Sequence, residues 1–285
     1  MIELCESYHI AQQLQEVLAG KTIVDVIANA SPHKFAFFFG DPDFYKVRLE
    51  GRKINKVISF AGYIEIWAEH MRIQLSENPQ IRYCTNEKEY PLKHQLCLIL
   101  NDESRLYVTA QLYAAIYVCE EGENQNPYYI GSRDKISPLS EAFDLNYFME
   151  LVRGSKQTLS MKAFLATEQR IPGFGNGVLQ DILFLAGIHP KTKINQIDDE
   201  KWKELFHIIK ETLWDMARKG GRDTEKDIYG VPGGYQTILS SKTWKEPCPM
   251  CKSVIEKQSY LGGAIYFCSF CQPYQEKSGV VKRKI

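Results

Sequence analysis

The sequence lacks an excess of either charge and any long apolar run, and these absences exclude several classes of protein. Its 285 residues include 35 Lys and Arg against 35 Asp and Glu, so the formal net charge is zero and gives no sign of a polyanionic partner. No apolar run approaches the ~20 residues that span a bilayer. The opening, MIELCESYHIAQQL, has Glu3 and Glu6 where a signal peptide would have basic residues. We therefore expect a cytoplasmic protein with no membrane partner.

Internal repeats and low-complexity tracts are also missing. Hydrophobic residues make up 44% and charged residues 25% of the chain, which is typical of a soluble globular protein and excludes disorder as the main state. The length exceeds one ordinary domain of ~100–200 residues, so we expect two or three compact units.

The charge is unevenly distributed. From residue 242 to the C-terminus there are eight basic and three acidic residues, a difference of +5. This segment suits contact with phosphates, but a solvated tail would show the same charge.

Cysteine is scarce in the first 240 residues and concentrated in the last 40. The scattered residues are Cys5, Cys84, Cys97 and Cys119, which we interpret as buried apolar side chains. The clustered four are Cys248, Cys251, Cys268 and Cys271, read as CPMC, sixteen residues and CSFC. Two CxxC pairs at this spacing predict a zinc finger rather than a redox pair or disulfides. Four sulfur ligands leave no open position, so one structural Zn2+ is expected.

Residues 20 to 120 have the pattern of a β domain. Short β-branched or aromatic runs such as KTIVDVIA, YIEIWAE, QLCLILN and AIYVC are bounded by turn residues, which favours a sandwich or barrel. Before them, Ile10, Leu14 and Leu18 have helical spacing, and Gly20 predicts the helix end. The polar, Pro- and Gly-containing stretch 121–142 is interpreted as a linker.

After Phe143 the apolar period becomes helical, with segments around 159–169, 177–186 and 198–219. The last segment has a buried-type stripe that is interpreted as core: Trp202, Leu205, Phe206, Ile209, Leu213 and Met216. Between the first two, IPGFGNGVLQDILFLAGIHP places glycines before a helix for which Asn176 is the predicted N-cap. Such a helix start can bind phosphate, although a joint that only packs would look similar.

Taken together, these segments resemble the Fpg/Nei family of DNA glycosylases, the formamidopyrimidine-DNA glycosylases and endonuclease VIII. MIELCE is similar to the family's opening Met-Pro-Glu-Leu-Pro-Glu, IPGFGNGVLQDILFLAGIHP to its helix–two-turn–helix, GGRDTEKDIYGVPGGY to the segment that follows, and YFCSFCQ to the end of its zinc finger. The resemblance implies an α+β multidomain protein with a β-sandwich and leading helix (1–125), a helix–two-turn–helix DNA-binding domain (143–225) and a four-cysteine zinc finger (240–275) with a basic tail to 285.

The resemblance also implies site residues. Glu3 matches the acid that assists base loss, and Glu6 matches a carboxylate that contacts the opened sugar; an acidic helix start is the alternative explanation for both. Lys162 and Asn176 match the pair that holds a phosphate of the damaged strand, and Gly175 belongs to the same phosphate-binding turn. The implied partner of this monomer is double-stranded DNA with a damaged base, flipped out of the helix, or an abasic site.

The sequence departs from the family at the nucleophile. The family uses an N-terminal proline exposed by removal of Met1, whereas position 2 here is Ile2. A bulky second residue prevents that removal, so the free amine should belong to Met1, displaced by ~3.5 Å. Misplacement on this scale costs about a hundredfold in rate. We therefore expect AP-lyase activity, which proceeds through a Schiff base, to be weakened or lost.

Further cationic positions of the family are also changed. Its sandwich lysine falls on Gly62 or Tyr63, its Arg-Arg-Phe wedge on Gln111, Leu112 and Tyr113, and its finger arginine on Gly263.

The prediction is a base-excision-repair glycosylase that hydrolyses the N-glycosidic bond of a flipped base. The alternative is a non-catalytic protein that binds damaged or structured DNA, and a reader of structured RNA is a third.

Overall fold

The computed structural model describes residues 2–86 and 90–274. The chain divides into two compact units with interleaved segments. Unit 1 is drawn from Met1–Phe143, Ile171–Gly175 and Lys210–Thr237, and unit 2 from Asp144–Arg170, Asn176–Ile209 and Ile238–Ile285. The domain bounds 1–125, 143–225 and 240–275 stay a prediction. Met1 and the end of the expected basic tail lie outside the described residues.

Unit 1 begins with the predicted helix. Helix α1 spans Leu4–Leu18 and buries Ile10, Leu14 and Leu18 along one face, as their spacing predicts. It ends where expected, because Gly20 takes a φ of +86° that glycine adopts at no steric cost.

Seven strands of unit 1 form one sheet in the order β1-β6-β7-β5-β4-β3, with β2 pairing parallel to β7. The strands are β1 (Ile23–Ala28), β2 (Ala36–Phe38), β3 (Ile54–Phe60), β4 (Tyr63–Ala68), β5 (Met71–Cys84), β6 (Leu96–Leu100) and β7 (Arg105–Glu120), with a short helix α2 (Tyr45–Leu49) between β2 and β3. The run AIYVC, predicted as a strand of its own, is the last part of the single strand β7, because no turn residue precedes it.

The two long strands β5 and β7 join the two halves of the sheet. Their pairing slips at a bulge between Glu77 and Pro79. On one side of the bulge β5 pairs with β4, which pairs with β3, and β7 pairs with β2. On the other side β7 pairs with β6, which pairs with β1. Apolar side chains of both halves and of α1 belong to one core cluster, including Leu14, Ile66 and Leu98. The sheet therefore folds over a common core, as the predicted sandwich does.

The predicted linker contains a helix. Helix α3 spans Pro127–Asp134, and the Asn126 side chain caps it by accepting a hydrogen bond from the backbone N–H of Tyr128. Its Tyr129 hydroxyl donates to the buried Glu65 carboxylate at 2.6 Å. The linker interpretation was wrong for these eight residues, because a proline at the first helical position starts a helix as readily as it starts a loop.

Unit 2 contains the three helices that the sequence predicts, a fourth at 145–153 that it does not predict, and a hairpin. The helices are α4 (Leu145–Arg153), α5 (Met161–Ala166), α6 (Asn176–Leu185) and α7 (Asp199–Arg218), whose last turns belong to unit 1, and the hairpin strands are β8 (Glu256–Tyr260) and β9 (Gly263–Phe267). All six residues of the α7 stripe are buried, as predicted. Among the described residues, no helix combines the length and apolar character needed to cross a bilayer.

Candidate functional site

The two predicted carboxylates lie together at the start of α1. Glu3 is the residue before the helix, and its backbone N–H donates to Glu6 Oε2 at 3.0 Å. This is one half of a capping box, which places an acid in the first helical turn. Both side chains are only 3% exposed, so their charges need a partner inside the protein.

That partner is Arg222, a residue that sequence reasoning missed. Its Nε and Nη2 donate to Glu6 Oε1 and Oε2, both at 2.9 Å, and its backbone N–H donates to Glu6 Oε1 at 3.0 Å. Its Nη1 lies 3.5 Å from Glu3 Oε1. Arg222 therefore forms a bidentate salt bridge with Glu6, which we call the clamp, and also lies close to Glu3.

The clamp sets the charges of the cluster. Burial alone would raise the pKa of Glu6, but the charge and hydrogen bonds of Arg222 outweigh it and hold that pKa below its ordinary value of 4.5. Burial likewise opposes the charge of Arg222, yet Glu3 and Glu6 raise its pKa well above the ordinary value. Glu6 and Arg222 are accordingly ionised at neutral pH.

Two glycines make this close arrangement possible. Gly221 has a φ of +95°, and a Cβ there would lie 2.9 Å from Glu6 Cγ. A Cβ at Gly175 would lie 2.4 Å from Glu3 Oε1. The glycine pair before Arg222 was the available sequence signal, but 216 residues separate Arg222 from Glu6, and only the fold brings them together.

Ile2 is packed in the interior of unit 1. Its side chain is 7% exposed and belongs to the hydrophobic core cluster. Its carbonyl oxygen would be 3.1 Å from a Cβ at Gly62, and the backbone N–H of Leu4 donates to Gly173 at 3.0 Å. The position at which the family resemblance predicts a nucleophilic proline thus holds an aliphatic core residue. Met1, the other predicted catalytic residue, lies outside the described residues.

The positions aligned with the family's wedge lie on β7 of unit 1. Leu112 and Tyr113 are 64% and 50% exposed, and Gln111 is also exposed. The Tyr113 ring packs at 5.0 Å from that of Phe35.

Unit 2 brings Lys162 and Asn176 together beside the β8–β9 turn. Lys162 Nζ donates to the Tyr260 carbonyl at 2.6 Å, and Asn176 Nδ2 donates to the Ala264 carbonyl at 2.8 Å. Asn176 is the first residue of α6 rather than the residue before it. Its side chain donates to the hairpin and does not cap the helix, so the N-cap prediction was wrong. Burial lowers the pKa of Lys162.

Gly263 lies at the same corner. A Cβ at this position would be 3.4 Å from Lys162 Nζ and 3.6 Å from Asn176 Nδ2. The position at which the family resemblance predicts an arginine therefore lies beside Lys162 and Asn176, but glycine provides no side chain there.

The four clustered cysteines can hold one metal ion. Their sulfur atoms all lie within 4.8 Å of one another, with Cys248 and Cys271 at 3.8 Å and Cys251 and Cys268 at 3.4 Å. Tetrahedral Zn–S bonds of ~2.3 Å place sulfurs ~3.8 Å apart, so this set fits such an ion. The thiols pack with Leu239, Ile255 and other apolar residues in a small core of unit 2, which binding of the metal would stabilise.

Comparison with known proteins agrees with this architecture. Residues 135–227 match the Formamidopyrimidine-DNA glycosylase H2TH domain. The formamidopyrimidine-DNA glycosylase of Bacillus cereus is 24% identical over 96% of this chain and 99% of its own, and that of Mycoplasmopsis pulmonis is 28% identical over 83% and 86%.

Solved structures share the fold at similar identity. The Lactococcus lactis Fpg in complex with N7-benzyl-Fapy-dG DNA has a TM-score of 0.82 and 23% identity, covering 95% of this chain and all of that one. MutM (Fpg) of Thermus thermophilus has a TM-score of 0.79 and 21% identity, covering 96% and 100%. The fold, the H2TH match and the relatives aligned over nearly the whole chain agree, and the chain is similar to the Fpg/Nei family along nearly its whole length.

Proposed function

We propose that the protein is a base-excision-repair DNA glycosylase that binds double-stranded DNA with a damaged base or an abasic site. The relatives named as formamidopyrimidine-DNA glycosylases align over nearly the whole chain, and one structural relative is bound to abasic DNA. The observation that supports catalysis most is the buried cluster of Glu3, Glu6 and Arg222. The protein would act as a monomer in a bacterial-type cytoplasm.

The reaction is hydrolysis of the N-glycosidic bond. The sugar carbon is out of reach inside the base stack, so the nucleotide must be flipped out. Glu3 accepts a proton from water as the water oxygen bonds to the sugar C1′. The C1′–N bond breaks, its electron pair leaves with the base, and Glu3 then passes the proton to that base. Glu6, whose charge is paired with that of Arg222, is the carboxylate that would contact the sugar.

AP-lyase activity is weakened or lost in this proposal. A Schiff base needs an amine at the position of the family's proline, and Ile2 there is packed in the core cluster. The α-amine of Met1, with an ordinary pKa of ~8, is the remaining N-terminal candidate, but one residue away. The expected product is an intact strand with an abasic site.

Lys162 and Asn176 would bind phosphates of the DNA, and Gly175 belongs to the turn that leads into Asn176. Lys162 and Asn176 lie within a few ångströms of one position on the hairpin turn, as a shared phosphate contact requires. Such contacts position the protein on DNA without reading its sequence.

The metal is one structural Zn2+ bound by Cys248, Cys251, Cys268 and Cys271. Thiolate ligands in two CxxC pairs suit zinc, and a completed tetrahedron leaves no place for substrate or water. Its role is to stabilise the small core around the hairpin, not to take part in the reaction.

Burial of the carboxylates favours one alternative, a protein that binds damaged or structured DNA without chemistry. Ile2, Glu3 and Glu6 are each less than 8% exposed, so water reaches them only if DNA binding opens the cluster. The two functions differ in whether any base is released.

Base release from oligonucleotides with oxidised bases, detected by mass spectrometry, tests the proposal. We expect release by the natural protein and by Glu16→Gln, an exposed change on the same helix, but not by Glu3→Gln, which cannot accept the proton. Glu3→Gln should still bind DNA. Binding without release from any lesion by the natural protein would establish the non-catalytic alternative.

A further inference from the structure

We propose that an exposed row of aromatic rings on β2 and β7 binds unpaired DNA bases by stacking. The inference deepens the proposed function and rests on it, because it adds damaged bases in bubbles and single-stranded stretches to the substrates of the same site. All of the residues concerned belong to unit 1.

The row arises from the alternation of side chains along two paired strands. Strand β2 runs parallel to β7, with Phe38 opposite Ile116. Both of these side chains pack in the core of unit 1, so the residues that alternate with them point to the outer face of the sheet. We call the five rings among these outward residues the aromatic row, which consists of Phe35, Phe37, Phe39, Tyr113 and Tyr117.

Phe37 is the open ring of the row. The rings of Phe35 and Tyr113 lie 5.0 Å apart and those of Phe39 and Tyr117 lie 5.8 Å apart, whereas Phe37 is opposite Ala115 and is 47% exposed. Alternate residues of a strand are ~6.6 Å apart, which is about twice the ~3.4 Å spacing of stacked bases. The row therefore has room for a base to stack on the Phe37 ring.

The chemistry of the row favours a DNA strand as its occupant. Bases of any sequence have planar faces that stack on aromatic side chains. Lys34 Nζ lies 5.3 Å from the centre of the Phe35 ring, so a positive charge is available for a phosphate at that end of the row. An apolar protein surface, by contrast, would be bound as well by aliphatic side chains as by rings.

The row also lies on the same sheet as the candidate site. Strands β7 and β5 separate Phe37 from Tyr63 of β4, and Tyr63 faces outward because its neighbour Ile64 packs in the core. Gly62, the residue before Tyr63, comes so close to Ile2 that an added Cβ would lie 3.1 Å from the Ile2 carbonyl oxygen. Three strand spacings amount to ~14 Å, a distance that about four stacked nucleotides span.

The experiment measures the binding of lesion-free oligothymidylate, alone and annealed to oligoadenylate, by fluorescence anisotropy. It compares the natural protein with Phe37→Ala, Phe37→Leu and Phe37→Trp. Tyr229→Leu is the matched control, because Tyr229 is 55% exposed and packs against Tyr83 on the other side of the β5 bulge. Base release is measured in parallel for one oxidised base placed in a bubble and in a duplex.

We expect Phe37→Ala to weaken single-strand binding about 5- to 150-fold and duplex binding much less. Phe37→Leu keeps an apolar side chain but loses the ring, so it should be nearly as weak. Phe37→Trp should bind at least as tightly as the natural protein, and the oligothymidylate should quench its added tryptophan fluorescence. Tyr229→Leu should bind like the natural protein.

Two further readouts separate stacking from charge and connect binding to the reaction. The slope of log affinity against log salt should not change in Phe37→Leu, because no phosphate contact is lost. Phe37→Ala should lower base release from the bubble more than from the duplex.

Three binding results would overturn the proposal. The first is natural single-strand affinity in Phe37→Ala, and the second is weak binding by Phe37→Ala that Phe37→Leu restores, since that would be apolar contact without stacking. The third is a dimer in analytical ultracentrifugation that Phe37→Leu dissociates, which would identify a second copy of the chain as the occupant. Equal loss of base release from bubble and duplex would contradict the added substrate class.

The binding arm is independent of the reaction, because its oligonucleotides contain no lesion. If the natural protein releases no base but Phe37→Ala and Phe37→Leu lose single-strand affinity, the glycosylase proposal has failed and the stacking row is supported. If base is released and all Phe37 variants bind and react like the natural protein, the glycosylase proposal is supported and the stacking row has failed.

Discussion

Gly175 and Glu3 are in direct contact. A Cβ at position 175 would stand 2.4 Å from both Cδ and Oε1 of the Glu3 carboxyl group. No side chain fits at that distance, so the glycine fixes where this carboxylate can lie. Gly175 is thus one wall of the carboxylate site in unit 1.

Gly175→Ala should inactivate the protein without unfolding it. The new methyl group meets the end of the flexible Glu3 side chain, which can swing away at little cost to stability. Displacing a reacting group by about 1 Å can cost a hundredfold in rate. We expect base release to fall about a hundredfold with a nearly unchanged melting temperature, measured by single-turnover kinetics and calorimetry.

Gly131→Ala is the control for this change. Gly131 is in helix α3 of unit 1, and an added Cβ would meet nothing within 4 Å. It should keep the natural rate. Full activity in Gly175→Ala would mean that Glu3 need not occupy the position seen here.

Zinc content tests the metal assignment. Purified protein should contain about one zinc per chain by mass spectrometry. Cys268→Ser should lose the metal and unfold the hairpin, because the ion supplies most of the stability of so small a core. Cys84→Ser, a buried thiol of unit 1, should retain the zinc. Folded protein with no metal would contradict the assignment.

Lys162→Met should weaken DNA affinity equally for all sequences. Loss of one phosphate contact reduces the slope of log affinity against log salt by about 0.9. The measurement is a fluorescence-anisotropy titration at several salt concentrations. Lys203→Met is the control, because Lys203 is half-exposed on α7 and pairs with Glu200. An unchanged salt slope in Lys162→Met would contradict the phosphate role.

His189 should make the protein less stable in mild acid. Burial and the nearby Lys191 charge lower the pKa of His189 to about 4 from 6.5. The unfolded chain binds this proton more tightly, so the contribution is complete above about pH 6.5 and is lost as pH falls toward 4. Across this range the unfolding free energy should fall by about 3 kcal/mol less in His189→Gln than in the natural protein. Equal pH dependence in urea titrations of the two proteins would contradict this.

Features that depend only on residues close together in the chain could be predicted from the sequence. The spacing of Ile10, Leu14 and Leu18 predicted α1, and the CxxC pairs predicted the cysteine cluster. The clamp of Arg222 on Glu6 could not be predicted, because it depends on a contact across most of the chain. Helix α3 was missed because Pro127 and its polar neighbours are equally typical of a loop.

The central claim is base removal without an amine nucleophile. It is tested most directly by incubating the protein with duplex DNA containing an oxidised base in the presence of borohydride, then separating the strands before and after alkali. We predict release of the base, strand cleavage only after alkali, and no covalent protein–DNA adduct. Abundant trapped adduct, together with cleavage before alkali, would contradict the claim.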